Sequence, residues 1–130
     1  PPPRQGRVYF LKKTFIITFM KITVKSTNLD ITPSLQTYID SKMSTLERLV
    51  TKFNSEGAVT LHLEVGRTTK HHHKGNVFMA EANLSLPGKV LRAVEESDDI
   101  RKAIDLVKRK LHLEIERFKE KAIDSRKRSR

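Results

Sequence analysis

Apolar residues change their spacing along this chain, and that change restricts the folds open to it. Leu35, Ile39, Met43, Leu46, Val50 and Phe53 recur at intervals of three and four, the mark of a helix with one apolar face. Val59, Leu61, Leu63 and Val65 then alternate with Thr60, His62 and Glu64. Phe78, Ala80, Ala82, Leu84 and Leu86 alternate with Met79, Glu81, Asn83 and Ser85 in the same way. Period two belongs to strands with one buried face. The helical period returns in Ile100, Ala103, Ile104, Val107, Leu111, Ile115 and Phe118. Two one-sided helices and several one-sided strands can hide their apolar surfaces together only by stacking the helices on one face of a sheet.

Punctuation between these runs supplies the order. Lys21 to Ser26 alternates polar and apolar residues and reads as a first strand. Thr32-Pro33 predicts a helix start, Thr as the cap and Pro at the first helical position. Asn54 to Gly57 ends that helix, and Gly66 to Gly75 is a polar loop. Pro87-Gly88 is a turn, Lys89 to Val94 a short fourth strand, and Ser97 or Asp98 the expected cap of the last helix. The expected fold is α+β: a two-layer sandwich in the order β-α-β-β-β-α, four strands with two helices on one face. Short connections make strands two to four an antiparallel meander. Thr60, His62, Glu64, Glu81, Asn83 and Ser85 would line the face open to solvent.

A length of 130 residues with 37% hydrophobic and 32% charged content suits one globular domain. The chain has no cysteine, which excludes disulfides, thiolate metal sites and cysteine nucleophiles and fits a reducing cytosol. No stretch approaches the roughly 20 apolar residues of a membrane span. Residues 1–19 read apart from the rest, since Lys12-Lys13 splits their apolar runs and no signal-peptide pattern emerges. Met20 is the expected natural start, which makes 1–19 an upstream extension, 20–121 the domain and 122–130 a basic tail.

Catalytic and metal chemistry find little support. His71-His72-His73 stand consecutively in a loop with no carboxylate or cysteine at a ligand spacing, so no metal site is expected. Glu95, Glu96, Asp98 and Asp99 suit the dipole of the following helix better than a pair of catalytic carboxylates. P-loop, dinucleotide and nucleophile-elbow patterns are missing, so neither an enzyme, a cofactor nor a small-molecule substrate is expected.

Charge is the stronger signal. The net +11 sits at the two ends: residues 100–130 hold 12 Lys/Arg against 5 Asp/Glu, whereas residues 20–99 hold 10 of each. Such a field draws polyanions. With Ile104 at zero and about 100° per residue, Arg101, Lys108 and Lys119 run along one edge of the apolar stripe. Lys110 and Arg117 run along the other. Lys42 lies inside the apolar arc of the first helix and must extend outward along its border. Packed side by side, the helices would set Lys42 opposite one edge of the last helix across a cationic groove. Lys102, Arg109 and Lys121 add to the same basic helix. Only 6 Phe and 2 Tyr are present, several on core stripes, so recognition of folded RNA by shape and phosphate is expected over base stacking.

Met20-Lys21-Ile22-Thr23-Val24, Ile31-Thr32-Pro33, Leu46-Glu47-Arg48 and Glu96-Ser97-Asp98-Asp99-Ile100-Arg101-Lys102-Ala103-Ile104-Asp105 resemble the ribosome hibernation-promoting factors. That family is also called ribosome-associated inhibitor A and was formerly called sigma-54 modulation protein. The resemblance covers about residues 20–121. It implies a cytoplasmic β-α-β-β-β-α domain that binds the small ribosomal subunit and its rRNA, occupies the tRNA/mRNA channel and blocks translation under stress. It also implies a chain that is monomeric off the ribosome, with no membrane partner. Lys42, Lys110 and Arg117 match basic positions of the family, and Arg48 matches more loosely. Long members carry a second, dimerising domain, so a chain ending at Arg130 is either of the short type or the first domain of a long one.

Two other readings stand beside this one. A protein-interaction module would act through the open sheet face and depend less on salt. A double-stranded-RNA-binding domain would begin its last helix with lysines, where this chain has Asp98 and Asp99.

Overall fold

The computed structural model describes residues 20–51, 59–68 and 77–128. Its elements are β1 (Lys21–Thr27), α1 (Pro33–Ser44), α2 (Glu47–Val50), β2 (Thr60–Arg67), β3 (Phe78–Leu86), β4 (Lys89–Ser97) and α3 (Ile100–Arg128). The strands form one sheet in the order β1-β2-β3-β4. β1 runs parallel to β2, so the chain between them crosses the sheet through α1. β2, β3 and β4 make the expected antiparallel meander. The result is the two-layer α+β sandwich.

Register explains the burial. Leu61 faces Leu84 and Leu84 faces Leu91, while Leu63, Ala82 and Ala93 form the neighbouring row. All six are buried and meet the α3 stripe of Ala103, Ile104, Val107, Leu111 and Ile115. Leu35, Ile39 and Met43 of α1 complete the core with Leu46 and Val50. On the other face Glu64 stands opposite Glu81, a repulsive pairing. It is relieved by separate donors: Thr27 Oγ1 to Glu64 at 3.2 Å and Arg92 Nε to Glu81 at 2.6 Å.

Local chemistry sets the element ends. Thr32 Oγ1 accepts from the Leu35 N–H at 3.1 Å, with Pro33 at the first helical position. Gly88 closes the β3–β4 hairpin at φ 77°, the left-handed value that the second position of a Pro-Gly type II turn requires. Gly66 pairs with Thr27, and a Cβ there would lie 2.9 Å from the Thr27 carbonyl oxygen, so β1 can approach β2 closely only beside glycine.

Three expectations are corrected. The first helix does not run unbroken toward Phe53: it stops at Ser44 and resumes as α2 after Thr45-Leu46. Ser44 Oγ donates to the Ser41 carbonyl and Thr45 Oγ1 to the Lys42 carbonyl, and the ladder tightens to i→i+3, from Leu46 N–H to Met43 O at 3.0 Å. Hydroxyls that compete for backbone carbonyls in this way interrupt helices. The fourth strand continues to Ser97, which places Glu95 and Glu96 in β4 and leaves Asp98 and Asp99 as the acids at the helix start. Asp99, in place of Ser97 or Asp98, caps α3: its Oδ1 accepts from the Arg101 N–H at 3.0 Å and its carbonyl from the Ala103 N–H at 3.0 Å. α3 itself runs on to Arg128. Residues 1–19, Phe53, Asn54 to Gly57 and His71-His72-His73 lie outside the described residues.

Replacing Leu111, fully buried, by Ala should remove about 2–5 kcal/mol of stability in urea unfolding, whereas Leu113→Ala, at 55% exposure, should stay within about 0.5 kcal/mol. Asp99→Ala should cost about 1 kcal/mol through the lost cap. Asp98→Ala, which leaves that cap in place, should cost less.

Candidate nucleic-acid interface

Packing fixes which charges of α3 can meet those of α1. At about 1.5 Å per residue α3 is roughly 43 Å long, and Ile115 is the last buried one among its described side chains. With Ala103, Ile104, Val107 and Leu111 turned into the core, the flank carrying Arg101, Asp105, Lys108, Arg109 and His112 lies along α1. Lys42, Asp105, Lys108, Arg109 and His112 line an open recess of about 260 Å³. Lys42 is half-buried on the α1 side of this recess.

The seam is organised around Tyr38 and Asp105. Tyr38 donates its hydroxyl to Asp105 Oδ1 at 2.6 Å, and Lys42 Nζ lies 3.7 Å from the same oxygen. The Arg101 guanidinium stands 4.8 Å from the Tyr38 ring centroid and Lys42 Nζ 5.4 Å, both within cation–π range. Arg101 Nη2 also donates to Ser34 Oγ at 2.8 Å. Burial and the bond to Asp105 push the Tyr38 phenol from 10.0 up to about 12, because both favour the protonated form.

The other expected residues fall elsewhere. Arg117 and Lys121 line a second open recess of about 390 Å³ on the β4 side of α3, with Lys89, Leu91, Glu114, Phe118 and Ala122. Arg117 Nη1 lies 3.1 Å from Glu114 Oε1. Lys110 is exposed and shares the helical phase of Arg117. Lys102 pairs with Asp98 at 3.5 Å; the hydrogen bond from the Ser97 hydroxyl and then that ion pair hold the Asp98 carboxyl below its ordinary range. Lys119 is half-buried and Arg48 is exposed on α2, and neither lines either recess. The structure therefore brings Lys42, Lys108 and Arg109 together, with Arg101 held against the adjoining Tyr38, and separates them from Lys110, Arg117 and Lys121.

Sequence reasoning missed Asp105, Ser34, His112 and Lys89 as parts of these surfaces. The helical phase of Asp105 and His112, on the flank of Lys108, was readable. The contact of Asp105 with Tyr38 spans 67 positions and is set by helix packing alone. Among the described residues no cluster of three or more His, Asp or Glu could hold a metal ion, and no helix is long and apolar enough to cross a membrane.

Fold and site together define a small α+β domain whose helical layer carries a cationic seam. The family model described as sigma 54 modulation protein / S30EA ribosomal protein matches residues 22–123, and the chain belongs to that family. It is 29% identical over 102 residues to a ribosome hibernation promotion factor of Picosynechococcus sp., covering 78% of this chain and 50% of the relative. It is 28% identical over 100 residues to the factor of that name from Staphylococcus aureus, covering 77% and 48%. The chain thus spans about half the length of the curated relatives it matches. The Protein Y N-terminal domain of Thermus thermophilus superposes with a TM-score of 0.55 at 27% identity, covering 73% of this chain and 93% of that one. A ribosomal subunit interface protein of Coxiella burnetii, at TM-score 0.57 and 23% identity, covers 76% and 97% and shares the fold.

Phenolate absorbance in a Tyr9→Phe variant, which leaves Tyr38 as the one tyrosine, should titrate near 12 and move partway toward 10.0 in the Asp105→Asn background. Between those pH values the unfolded chain loses the Tyr38 proton while the folded chain keeps it. Stability should therefore fall as pH rises through this window, and Tyr38→Phe should remove that part of the loss.

Proposed function

We propose that this domain is a non-catalytic ribosome-binding factor of the cytoplasm. In this reading it docks on the small ribosomal subunit against rRNA, occupies the tRNA/mRNA channel and inhibits translation during stress, and it is monomeric off the ribosome. Residues 20–121 form the binding domain, and the basic end of the chain adds attraction for RNA. The family match supports the ribosome as partner. The single observation that carries the binding mode is the convergence of Lys42, Lys108 and Arg109 on one recess beside Arg101, with Asp105 as the acid among them. Cations on two rigid helices suit phosphates at fixed spacing, and the eight aromatics of the chain offer little for base stacking.

Sedimentation with purified small subunits across a series of salt concentrations tests this. If four cations of the seam each neutralise a phosphate, log affinity should fall against log salt with a slope of about −3. Lys42→Glu and Lys108→Glu, both in the recess, should each weaken binding about tenfold or more at low salt, since charge reversal turns a phosphate contact into repulsion. Binding indifferent to both substitutions and to salt would overturn the groove. It would favour a protein partner on the open sheet face, to be sought by capture from a ribosome-depleted lysate.

A further inference from the structure

We propose that Asp105, anchored by Tyr38, is a specificity-determining positioning residue. It presets Lys42 and Arg101 for one folded RNA and lowers the attraction of the seam for polyanions in general. This rests on the ribosome-binding reading above and adds to it a role for the one acidic side chain of the cationic recess.

An acid in a polyanion-binding recess works against the charge that attracts the ligand. Its ion pair with Lys42 does not explain its presence. The Lys42–Asp105 pair is open to water, with side chains 37% and 41% exposed, and pairs of that kind contribute little to folding. Its geometric effect is larger. Lysine and arginine stems are flexible, and fixing them on a ligand costs rotamer entropy that a preset side chain has already lost. Here one carboxylate oxygen takes the Tyr38 hydroxyl at 2.6 Å and faces Lys42 Nζ at 3.7 Å. The same Tyr38 ring has Arg101 at 4.8 Å, and Arg101 is tied to Ser34 at 2.8 Å. Two cations from different helices are thereby held against one aromatic ring. A folded RNA whose phosphates match that arrangement binds without reordering the side chains. A flexible RNA gains less from the fixed geometry and meets the same negative charge. Discrimination by an unfavourable group as well as favourable ones is how specificity exceeds affinity.

Binding of the full chain should be measured at one salt concentration to purified small subunits and to unstructured poly(U). Asp105→Asn keeps the shape and removes the charge. It should tighten poly(U) binding about two- to fivefold and weaken small-subunit binding about fivefold. Tyr38→Phe keeps the ring and the carboxylate but removes the anchoring hydroxyl. It should weaken small-subunit binding and leave poly(U) binding within about twofold, and its urea unfolding midpoint checks that the fold survives. If Asp105→Asn tightens both ligands alike, or changes neither, Asp105 is only a charge and the assignment is overturned. If Tyr38→Phe, folded, binds small subunits as the wild type does, the anchoring role is overturned. A wild-type chain with no preference for small subunits over poly(U) overturns the ribosome-binding reading itself. A wild-type preference left intact by Asp105→Asn overturns this assignment alone.

Discussion

Burial of the α3 stripe against the sheet is the constraint on which the rest of the molecule depends. Ala103, Ile104, Val107, Leu111 and Ile115 are all shielded from water, and their neighbours are the inward residues of three adjacent strands. Once that face is committed, the helix has no rotational freedom left. Each charged residue then occupies a set bearing: Arg101, Asp105, Lys108, Arg109 and His112 toward α1, and Arg117 and Lys121 toward the β4 edge. The arrangement of the cationic seam is thus a by-product of core packing. Its precision comes from the density of the interior, which transmits small shifts and does not absorb them.

The core also explains why α1 can be short. Thr45 and Leu46 interrupt the helix, yet Leu46 and Val50 are buried as fully as Ile39 and Met43. A tightened turn followed by α2 keeps the stripe aimed inward while it lets the chain leave the helix layer. The parallel pairing of β1 with β2 follows from the same path, because a strand returning beside its predecessor in parallel must be preceded by a crossover. Lys42 sits in the last turn of α1, where the cation also complements the helix dipole.

Charge count and charge arrangement play different parts. The excess of Lys and Arg in residues 100–130 provides long-range attraction that salt screens. Distances within the seam provide short-range geometry, and they depend on where one acid and one tyrosine stand, which a charge count does not record. Around Tyr38 the two are coupled: its ring holds the cations of Lys42 and Arg101, while its hydroxyl binds the Asp105 carboxylate of opposite sign.

Much of the fold was legible in the sequence because burial writes a period into the chain. Alternation at Val59 to Val65 and Phe78 to Leu86, and the stripe from Ile100 to Phe118, named the elements and the face each would bury. The Thr32-Pro33 start and the Pro87-Gly88 turn were legible too, since caps and tight turns are local hydrogen-bonding and φ requirements. Misjudged details were those in which neighbouring residues compete for one role. Asp99 caps α3 although Ser97 and Asp98 are equally good cap formers, because β4 continues far enough to carry Ser97 into the sheet. The basic character of the last helix was open to counting, and so was the phase of Lys108 and Lys110. Which cation meets which helix was not. Tyr38 and Asp105 lie 67 residues apart, and no local preference links them; they meet because two stripes are buried on the same sheet face. The sequence alone determined the elements, their apolar faces and the sign of the charge, since these depend on residue type and spacing. Tertiary structure alone decided how the charges pair across the seam, since that depends on the distance and rotation at which two helices come to rest.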